Sequence, residues 1–332
     1  MTKKIADNGS ALPAEASDSP IWKHLHKRGK VDINDSYSTS LPPVHIYYEV
    51  YGSGTERVVF INGMCSNRSM WEANIEQLLS LGTNYQCLVY DHRGTGHSDG
   101  GIRITATSVS TLASDLKKLM GIVGWRDGKT NIVGVSMGGN VALNFACRNP
   151  DAVKTLTLGA SFAKMTFPPL TQVADTARVI CSWNPTTKFR NACLAQYPRN
   201  HLLSPAPTDS GCNNMLDYYA VVSSRKSKYK GRMSKLAMLG QLLCVFRHKT
   251  TAAQLAELGR LLPNKQILVL AGARDRVVNP RKSEYIANCV GRDTVIYEVF
   301  DQTAHALHSQ EYVRFACSVH SMISNFNKQQ NT

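Results

Sequence analysis

The sequence predicts an α/β protein built on a mostly parallel sheet with helices on both faces. Strand-like and helix-like segments alternate over residues 44–161, and the same alternation resumes after residue 264. Several of the strand-like segments are nearly continuous apolar runs. Such runs are typical of strands buried on both faces, and alternation with helices is typical of crossover connections between parallel strands.

The predicted elements follow one another in chain order. A strand pair, VHIYYEVYG and RVVFING, is joined by the turn GSGTE, and further strands are YQCLVYD, NIVGVS, VKTLTLGAS, KQILVLAG and TVIYEVF. The helices predicted between and after them cover residues 70–81, 107–120, 139–148, 280–289 and 311–325. These segments define a predicted core over residues 41–161 and 265–332.

Two regions depart from this alternation. Residues 1–40 are rich in Ser, Asp, Lys and Pro and have no sustained hydrophobic period, so we predict a flexible arm with one helical turn near residues 21–27. Residues 162–264 contain no buried-strand run, and we predict a helical cap inserted between the sixth and seventh strands. The predicted cap helices cover residues 170–181, 214–223, 233–246 and 252–262.

Composition narrows the class of protein. With 332 residues, 43% of them hydrophobic, the chain can bury a large core. Its nine cysteines are scattered, without a pair or a Cys/His cluster at metal-ligand spacing, so we expect no metal, no cofactor and reduced thiols. The N-terminal segment lacks the apolar stretch of a signal peptide, and no run approaches the ~18 apolar residues of a membrane helix. A cytoplasmic protein is expected.

The sharpest motif is GVSMG at residues 134–138, which matches the pattern G-x-S-x-G. It follows a predicted strand and precedes a predicted helix, the context in which this pattern forms a nucleophile elbow. Such a turn exposes the hydroxyl of Ser136, and the helix N-terminus supplies N–H groups where an oxyanion would develop. A plain glycine and serine turn remains the alternative until other residues are considered.

A second segment, DHRGTGHSD at residues 91–99, ends 37 residues before Ser136 and follows the strand YQCLVY. With both segments in place, the chain resembles the α/β-hydrolase fold superfamily, specifically its esterase-like and lipase-like serine hydrolases with an inserted cap. The resemblance covers about residues 44–161 and 265–325. It implies an eight-stranded sheet, and it implies that Asp91, Arg93 and Ser98 shape a turn beside the active site.

The other members of a catalytic triad should follow Ser136 in the order acid, then histidine. Asp275 lies in LAGARDRVV after a late strand, and His305 lies in DQTAHALH after the last one. Asp301 is the alternative acid and His308 the alternative base. We expect His305 to accept the Ser136 proton and Asp275 to orient the imidazole.

The oxyanion hole is expected beside FINGM at residues 60–64. The resemblance implies His-Gly at the end of this strand, whereas the chain has Asn62 before Gly63. Because the hole uses main-chain donors, we expect the backbone N–H groups of Met64 and Met137 to form it.

These residues predict a carboxylic-ester hydrolase of the esterase or monoacyl-lipase type. Thioesterase, amidase and C–C hydrolase chemistry can use the same residues, and a ligand receptor that keeps the fold is a further alternative. Epoxide hydrolases and haloalkane dehalogenases of similar architecture use an Asp nucleophile, which Ser136 argues against.

Charge is concentrated in one region. The formal net charge is +14, and residues 162–266 hold 15 Lys and Arg against 4 Asp and Glu. A basic cap can steer an anionic small-molecule substrate or contact an anionic lipid surface, and it can also act only to keep the protein soluble. Nucleic-acid binding is not expected, because no recognition motif accompanies the basic residues.

Overall fold

The computed structural model describes residues 19–34, 43–99, 107–166, 178–179, 181–227, 231 and 233–330. Within these ranges eight strands form one sheet. The strands are β1 (Leu25–Asp32), β2 (His45–Tyr51), β3 (Glu56–Ile61), β4 (Tyr85–Tyr90), β5 (Thr130–Val135), β6 (Val153–Gly159), β7 (Ile267–Gly272) and β8 (Val295–Phe300). Their order is β1-β2-β4-β3-β5-β6-β7-β8.

The sheet is parallel from β4 to β8, whereas β2 runs antiparallel to both β1 and β4. Every residue of β5 and of β7 is buried, as the apolar runs predict for central strands. The predicted pairing of β2 with β3 is wrong. Although a short turn joins them, β4 lies between them, because the parallel core places β3 next to β4 and β5.

Helices cover both faces of the sheet, as predicted. In chain order they are α1 (Glu72–Leu81), α2 (Val109–Ile122), α3 (Met137–Arg148), α4 (Pro185–Gln196), α5 (Arg199–Leu203), α6 (Met215–Ser227), α7 (Lys235–Arg247), α8 (Ala252–Leu261), α9 (Pro280–Val290), α10 (Leu307–Gln310) and α11 (Tyr312–Gln330). One apolar cluster joins α1 and α11 to the sheet. The cluster on the other face contains residues of α2, α3, α8 and α9.

The prediction of a flexible arm up to residue 40 is wrong for residues 25–32. These residues form β1, the edge strand, which pairs with β2 from Leu25 opposite Tyr51 to Asp32 opposite His45. The strand LHKRGKVD has no apolar alternation. Its pairing therefore depends on backbone hydrogen bonds to β2 rather than on a pattern visible in the sequence. Residues 1–18 and 35–42 lie outside the described residues.

Among the described residues, five of the helices given above lie between β6 and β7. The helices α6, α7 and α8 occupy the positions predicted from periodicity, whereas α4 and α5 were missed. Asn184 begins α4 by accepting hydrogen bonds from Thr186 N–H and Thr187 N–H, and Pro185 fits its first turn. Most of the helix predicted over residues 170–181 lies outside the described residues.

Candidate active site

Ser136 lies at a sharp turn between β5 and α3. Its backbone has φ 57° and ψ −124°, a conformation that costs a non-glycine residue on the order of 1–3 kcal/mol. Ser136 N–H donates to Gly159 O at 2.8 Å, and Asn140 N–H donates to Ser136 O at 3.2 Å. Because α3 begins at Met137, the N–H groups of its first turn lie beside the serine.

Two glycines allow this turn to lie against neighbouring backbone. A Cβ atom on Gly134 would lie 2.3 Å from Gly138 O, and one on Gly138 would lie 2.1 Å from Ile61 O. Neither position can hold a larger residue without moving the backbone. The close approach therefore explains both glycines of the G-x-S-x-G pattern, and it brings the start of α3 against the end of β3.

Asp275 and His305 meet at the carboxyl ends of β7 and β8. Asp275 Oδ2 and His305 Nδ1 are 2.8 Å apart, and the Asp275 side chain is only 1% exposed. The other carboxylate oxygen accepts hydrogen bonds from Val277 N–H and Val278 N–H, both at 2.8 Å. A carboxylate acceptor assigns the proton to Nδ1, so Nε2 carries the lone pair of the neutral imidazole.

The loops that carry Asp275 and His305 are joined by backbone contacts. Arg274 N–H donates to Thr303 O at 2.9 Å, and Ala273 N–H donates to Phe300 O at 3.0 Å. A Cβ atom on Gly272 would lie 2.3 Å from Ala304 O. Gly272 is thus a positioning residue that the sequence did not reveal, because its role depends on two distant loops meeting.

The loop after β3 passes directly beside Ser136. A Cβ atom on Gly63 would lie 3.7 Å from Ser136 Cβ. The following residues Met64 and Cys65 form a turn, in which Cys65 has φ 59°. The expected donors, Met64 N–H and Met137 N–H, therefore belong to the two backbone segments that border Ser136.

Asn62, which replaces the histidine that the resemblance implies, is fully buried and hydrogen bonded at both ends of its side chain. Its Nδ2 donates to Tyr90 O at 2.6 Å, and its Oδ1 accepts from Trp71 Nε1 at 3.0 Å. Asn62 O also contacts His92 Nε2 at 3.1 Å. With asparagine at this position, the three contacts to Tyr90, Trp71 and His92 fix the backbone at the end of β3.

A glutamine from α7 also anchors this loop. Gln241 Oε1 accepts a hydrogen bond from Cys65 N–H at 2.8 Å, and Gln241 Nε2 donates to Thr95 Oγ1 at 3.1 Å. The glutamine is 2% exposed. The sequence did not single out Gln241, because 176 residues separate it from Cys65 and a buried glutamine on a helix has no local signature.

The polar side chains of the Asp91 segment pair with other groups of the protein. The Asp91 carboxylate is buried and accepts from Arg68 N–H, Arg68 Nη1 and His97 N–H, each at 2.9 Å. Burial raises the pKa of Asp91, and the charge of Arg68 offsets part of that rise. Arg93 pairs with Asp115, and Ser98 Oγ donates to Asp91 O at 2.7 Å. These contacts fix the conformation of the turn.

The alternative acid and base occupy less suitable positions. Asp301 is exposed at the start of the His305 loop. The His308 ring is buried beside Trp71, with ring centroids 5.3 Å apart. Burial, together with the nearby charges of His305 and Lys226, lowers the pKa of His308 to about 3. A neutral imidazole with so low a pKa is a poor proton acceptor at neutral pH.

Two cavities flank the loop that carries His305. One has a volume of about 300 Å³ and lies among α4, α6 and the loop after β3. Its lining includes Cys65, Ser66, Tyr197, Tyr219 and Ala306. The rings of Tyr197 and Tyr219 stack at 4.6 Å, and Tyr197 Oη donates to Ser309 Oγ at 2.9 Å.

The second cavity, of about 440 Å³, is strongly basic. It is bordered by Ala304 and shares Tyr197 with the first. Two of its arginines, Arg274 and Arg276, flank Asp275 in sequence, and Arg178 and Arg199 complete the set. Among the described residues that line it, none is Asp or Glu. Such a lining favours an anionic group beside the Asp275–His305 pair.

Within the described part of the chain, no group of three or more His, Cys, Asp or Glu side chains is arranged to hold a metal ion. The same residues include no helix with both the length and the apolarity to cross a membrane.

Curated relatives match a limited part of the chain. A protein named "Putative carbamate hydrolase RutD" from Azorhizobium caulinodans is 30% identical over 119 residues, which are 36% of this chain and 42% of that protein. The acetyltransferase component of an acetoin cleaving system from Cupriavidus necator is 26% identical over 176 residues, 48% of this chain and 45% of that protein. The chain thus spans less than half the length of these relatives.

Solved structures match most of the chain. A thermophilic esterase from Thermogutta terrifontis superposes with a TM-score of 0.67 at 19% identity, covering 91% of this chain and 99% of that one. An enol-lactonase from Burkholderia xenovorans superposes with a TM-score of 0.65 at 17% identity, covering 85% and 97%. At such identities the likeness shows the fold alone.

The family model described as alpha/beta hydrolase fold matches residues 56–312, which is more than half of the chain. The matched region includes the elbow at Ser136 and the loops of Asp275 and His305. The resemblance inferred from the sequence is confirmed at the level of family and fold. The chain belongs to the alpha/beta hydrolase fold family.

Proposed function

We propose that the protein is a serine hydrolase that cleaves a carboxylic ester, of the esterase or monoacyl-lipase type. The observation that carries the proposal is the 2.8 Å contact between Asp275 Oδ2 and His305 Nδ1, in a chain whose Ser136 occupies a strained elbow at the start of α3. This arrangement supports a triad because the acid is held by two backbone N–H groups and the histidine by the acid.

In the proposed reaction the Ser136 hydroxyl attacks the ester carbonyl while His305 Nε2 accepts its proton. Asp275 fixes the tautomer and stabilises the imidazolium. Met64 N–H and Met137 N–H donate to the oxyanion of the tetrahedral intermediate. The imidazolium then protonates the leaving alcohol, and a water molecule activated by His305 hydrolyses the acyl-enzyme.

We also propose that residues 162–264 act as a cap over this site. The cavity of about 300 Å³ supports the proposal, because helices α4 and α6 form one side of it and the loop after β3 forms another. A backbone hydrogen bond from Ala306 N–H to Gln196 O, at 3.1 Å, ties the cap to the His305 loop. Under this proposal the cap sets the size of the acyl or alcohol group.

The proposed substrate carries an anionic group. The four arginines around the cavity of about 440 Å³ support this choice, since the cavity borders Ala304, next to His305. A carboxylate or phosphate bound there would place an ester near the Asp275–His305 pair. The nine cysteines are all free thiols, which fits the proposed cytoplasmic location.

The test is labelling with a fluorophosphonate probe, followed by a panel of p-nitrophenyl esters of increasing chain length. The panel also includes thioester, amide and carbamate substrates, because these share the proposed acyl-enzyme chemistry and one of the curated relatives is named "Putative carbamate hydrolase RutD". Labelling with ester turnover supports the proposal. Saturable ligand binding without labelling or turnover would favour the receptor alternative and contradict the proposed chemistry.

A further inference from the structure

Helix α7 presents its large apolar side chains to solvent and its small or polar ones to the core. The buried positions along the helix are Ala237, Gly240, Gln241, Cys244 and Val245. The exposed apolar positions, each between 38% and 53% accessible, are Leu236, Met238, Leu239, Leu242 and Phe246. This is the reverse of the distribution expected for a helix whose outer face meets only water.

The apolar face is a concentrated feature of the surface. Of the 14 large hydrophobic residues that are exposed in the described part of the chain, five lie on this one helix of 13 residues. Single exposed apolar residues are ordinary, whereas a contiguous apolar patch marks a surface that binds something. The outer face of α7 therefore has the character of a docking surface.

Basic residues flank this face. Lys235 and Arg247 are exposed at the two ends of α7, and Lys249 is exposed just beyond it. The segment 223–249 contains eight Lys and Arg and no Asp or Glu. Three of the eight, Lys228, Lys230 and Arg232, lie outside the described residues.

The charge decides between two occupants of the apolar face. A second copy of the chain would bring two segments with eight positive charges each into contact, at an electrostatic cost. An anionic lipid surface would bury the apolar side chains and attract the basic ones, about 1 kcal/mol for each Lys or Arg near the surface. An amphipathic helix that lies flat in the lipid headgroup region has this combination of faces.

We propose that the outer face of α7 docks the protein on the surface of an anionic lipid bilayer. The apolar face of α7 enters the headgroup region, while Lys235 and Arg247 contact acidic headgroups at the two ends of the helix. This docking goes beyond the proposed hydrolysis and does not depend on it. Because Gln241 on the inner face of α7 binds the loop beside Ser136, the docked surface lies one helix away from the candidate active site.

The experiment measures flotation of the protein with vesicles of phosphatidylcholine alone and of phosphatidylcholine mixed with phosphatidylglycerol. It uses the Ser136→Ala protein in parallel with the wild type, so that hydrolysis plays no part in the result. We expect both proteins to float with the mixed vesicles and to remain unbound with pure phosphatidylcholine. Raised salt should weaken binding, because the headgroup contacts are screened.

Two variants test the two parts of the surface. Leu239→Ser with Phe246→Ser should lower the partition coefficient by at least about tenfold, because both side chains lose their burial in lipid. Lys235→Gln with Arg247→Gln should weaken binding to the mixed vesicles by about 30-fold. The matched control is Leu81→Ser with Ile122→Ser, which removes two other exposed apolar side chains, from α1 and α2, and should leave binding unchanged.

All of these positions are exposed, so circular dichroism should show the same fold in every variant. Absence of wild-type binding to the mixed vesicles would overturn the proposal, as would equal binding by the Leu239→Ser, Phe246→Ser protein. Light scattering tests whether the outer face of α7 binds a second copy of the chain instead. A wild-type dimer that this double variant converts to a monomer would assign the face to a second copy and refute the lipid surface.

Discussion

The side chain of Gln241 on α7 accepts a hydrogen bond from the backbone N–H of Cys65 at 2.8 Å. Cys65 follows Met64, the proposed oxyanion donor, and has a left-handed backbone conformation with φ 59°. Helix α7 therefore holds the loop that carries the proposed oxyanion donor. The Gln241 side chain hydrogen bonds to Cys65 N–H and Thr95 Oγ1, so we regard it as a positioning residue.

Gln241→Met should lower kcat about tenfold with little change in KM. The substitution keeps the side-chain volume but removes the acceptor for Cys65 N–H. The loop then loses one hydrogen bond, while the proposed oxyanion donor, Met64 N–H, remains present. Complete loss of an oxyanion donor costs about 10² to 10³ in kcat, and displacement should cost less. Thr95→Val is the matched control, because it removes only the second partner of Gln241. An equal loss of kcat in both variants would contradict a specific role for the Cys65 contact.

Asp275→Asn should reduce kcat by on the order of 10⁴-fold while leaving the fold intact. An amide in place of the carboxylate can no longer accept the Nδ1 proton as the ionised acid does, so the histidine loses its working tautomer. Steady-state kinetics checks the loss, and Asp301→Asn provides the same chemical change at an exposed position on the neighbouring loop. A greater loss from Asp301→Asn would transfer the role of the acid to Asp301.

Much of the fold was predictable because it depends on local patterns. The strands β3, β5 and β7 are short apolar runs between turns, and a central position in a parallel sheet requires that composition. The edge strand β1 carries no such pattern, since only one of its sides is paired and most of its side chains are partly accessible. The expected order of the triad residues along the chain, together with positions just after two late strands, was sufficient to identify Asp275 and His305 as candidates. Gln241 and Gly272 were not predictable, because each acts where distant segments meet.

The His308→Leu protein should lose less of its free energy of unfolding than the wild type as the pH falls. The folded-state pKa of His308 is lowered to about 3 by burial, whereas in the unfolded chain it is about 6.5. His308 therefore binds a proton at a higher pH in the unfolded chain than in the folded protein. This difference lowers the free energy of unfolding; the loss is absent above about pH 6.5 and grows as the pH falls toward 3. Between about pH 7.5 and about pH 5, the free energy of unfolding should decrease by about 2 kcal/mol more in the wild type than in the variant.

Denaturant unfolding at the two pH values measures this difference. Comparing the change with pH, rather than the stabilities themselves, removes any constant effect of the substitution on packing against Trp71. Parallel pH dependence in the two proteins would show that His308 is not held neutral. The same variant should retain ester turnover at neutral pH, whereas His305→Leu should lose it.

Arg274→Gln combined with Arg199→Gln should lower kcat/KM about tenfold for an anionic ester such as p-nitrophenyl hemisuccinate. Turnover of the neutral p-nitrophenyl butyrate should change less than about twofold, because an uncharged acyl group gains nothing from the arginines. Arg148→Gln, at the exposed far end of α3, controls for a general loss of positive charge. An equal decrease for both esters would remove the support for an anionic substrate.

We propose Ser136 as the nucleophile, a claim that mass spectrometry after fluorophosphonate treatment can test on the residue itself. We expect the wild type to gain one adduct on the peptide that contains Ser136, with loss of esterase activity in proportion to labelling. The Ser136→Ala protein should gain no adduct and show no turnover above background, while its thermal unfolding remains that of a folded protein. An adduct on a different serine, with full turnover by Ser136→Ala, would contradict the claim.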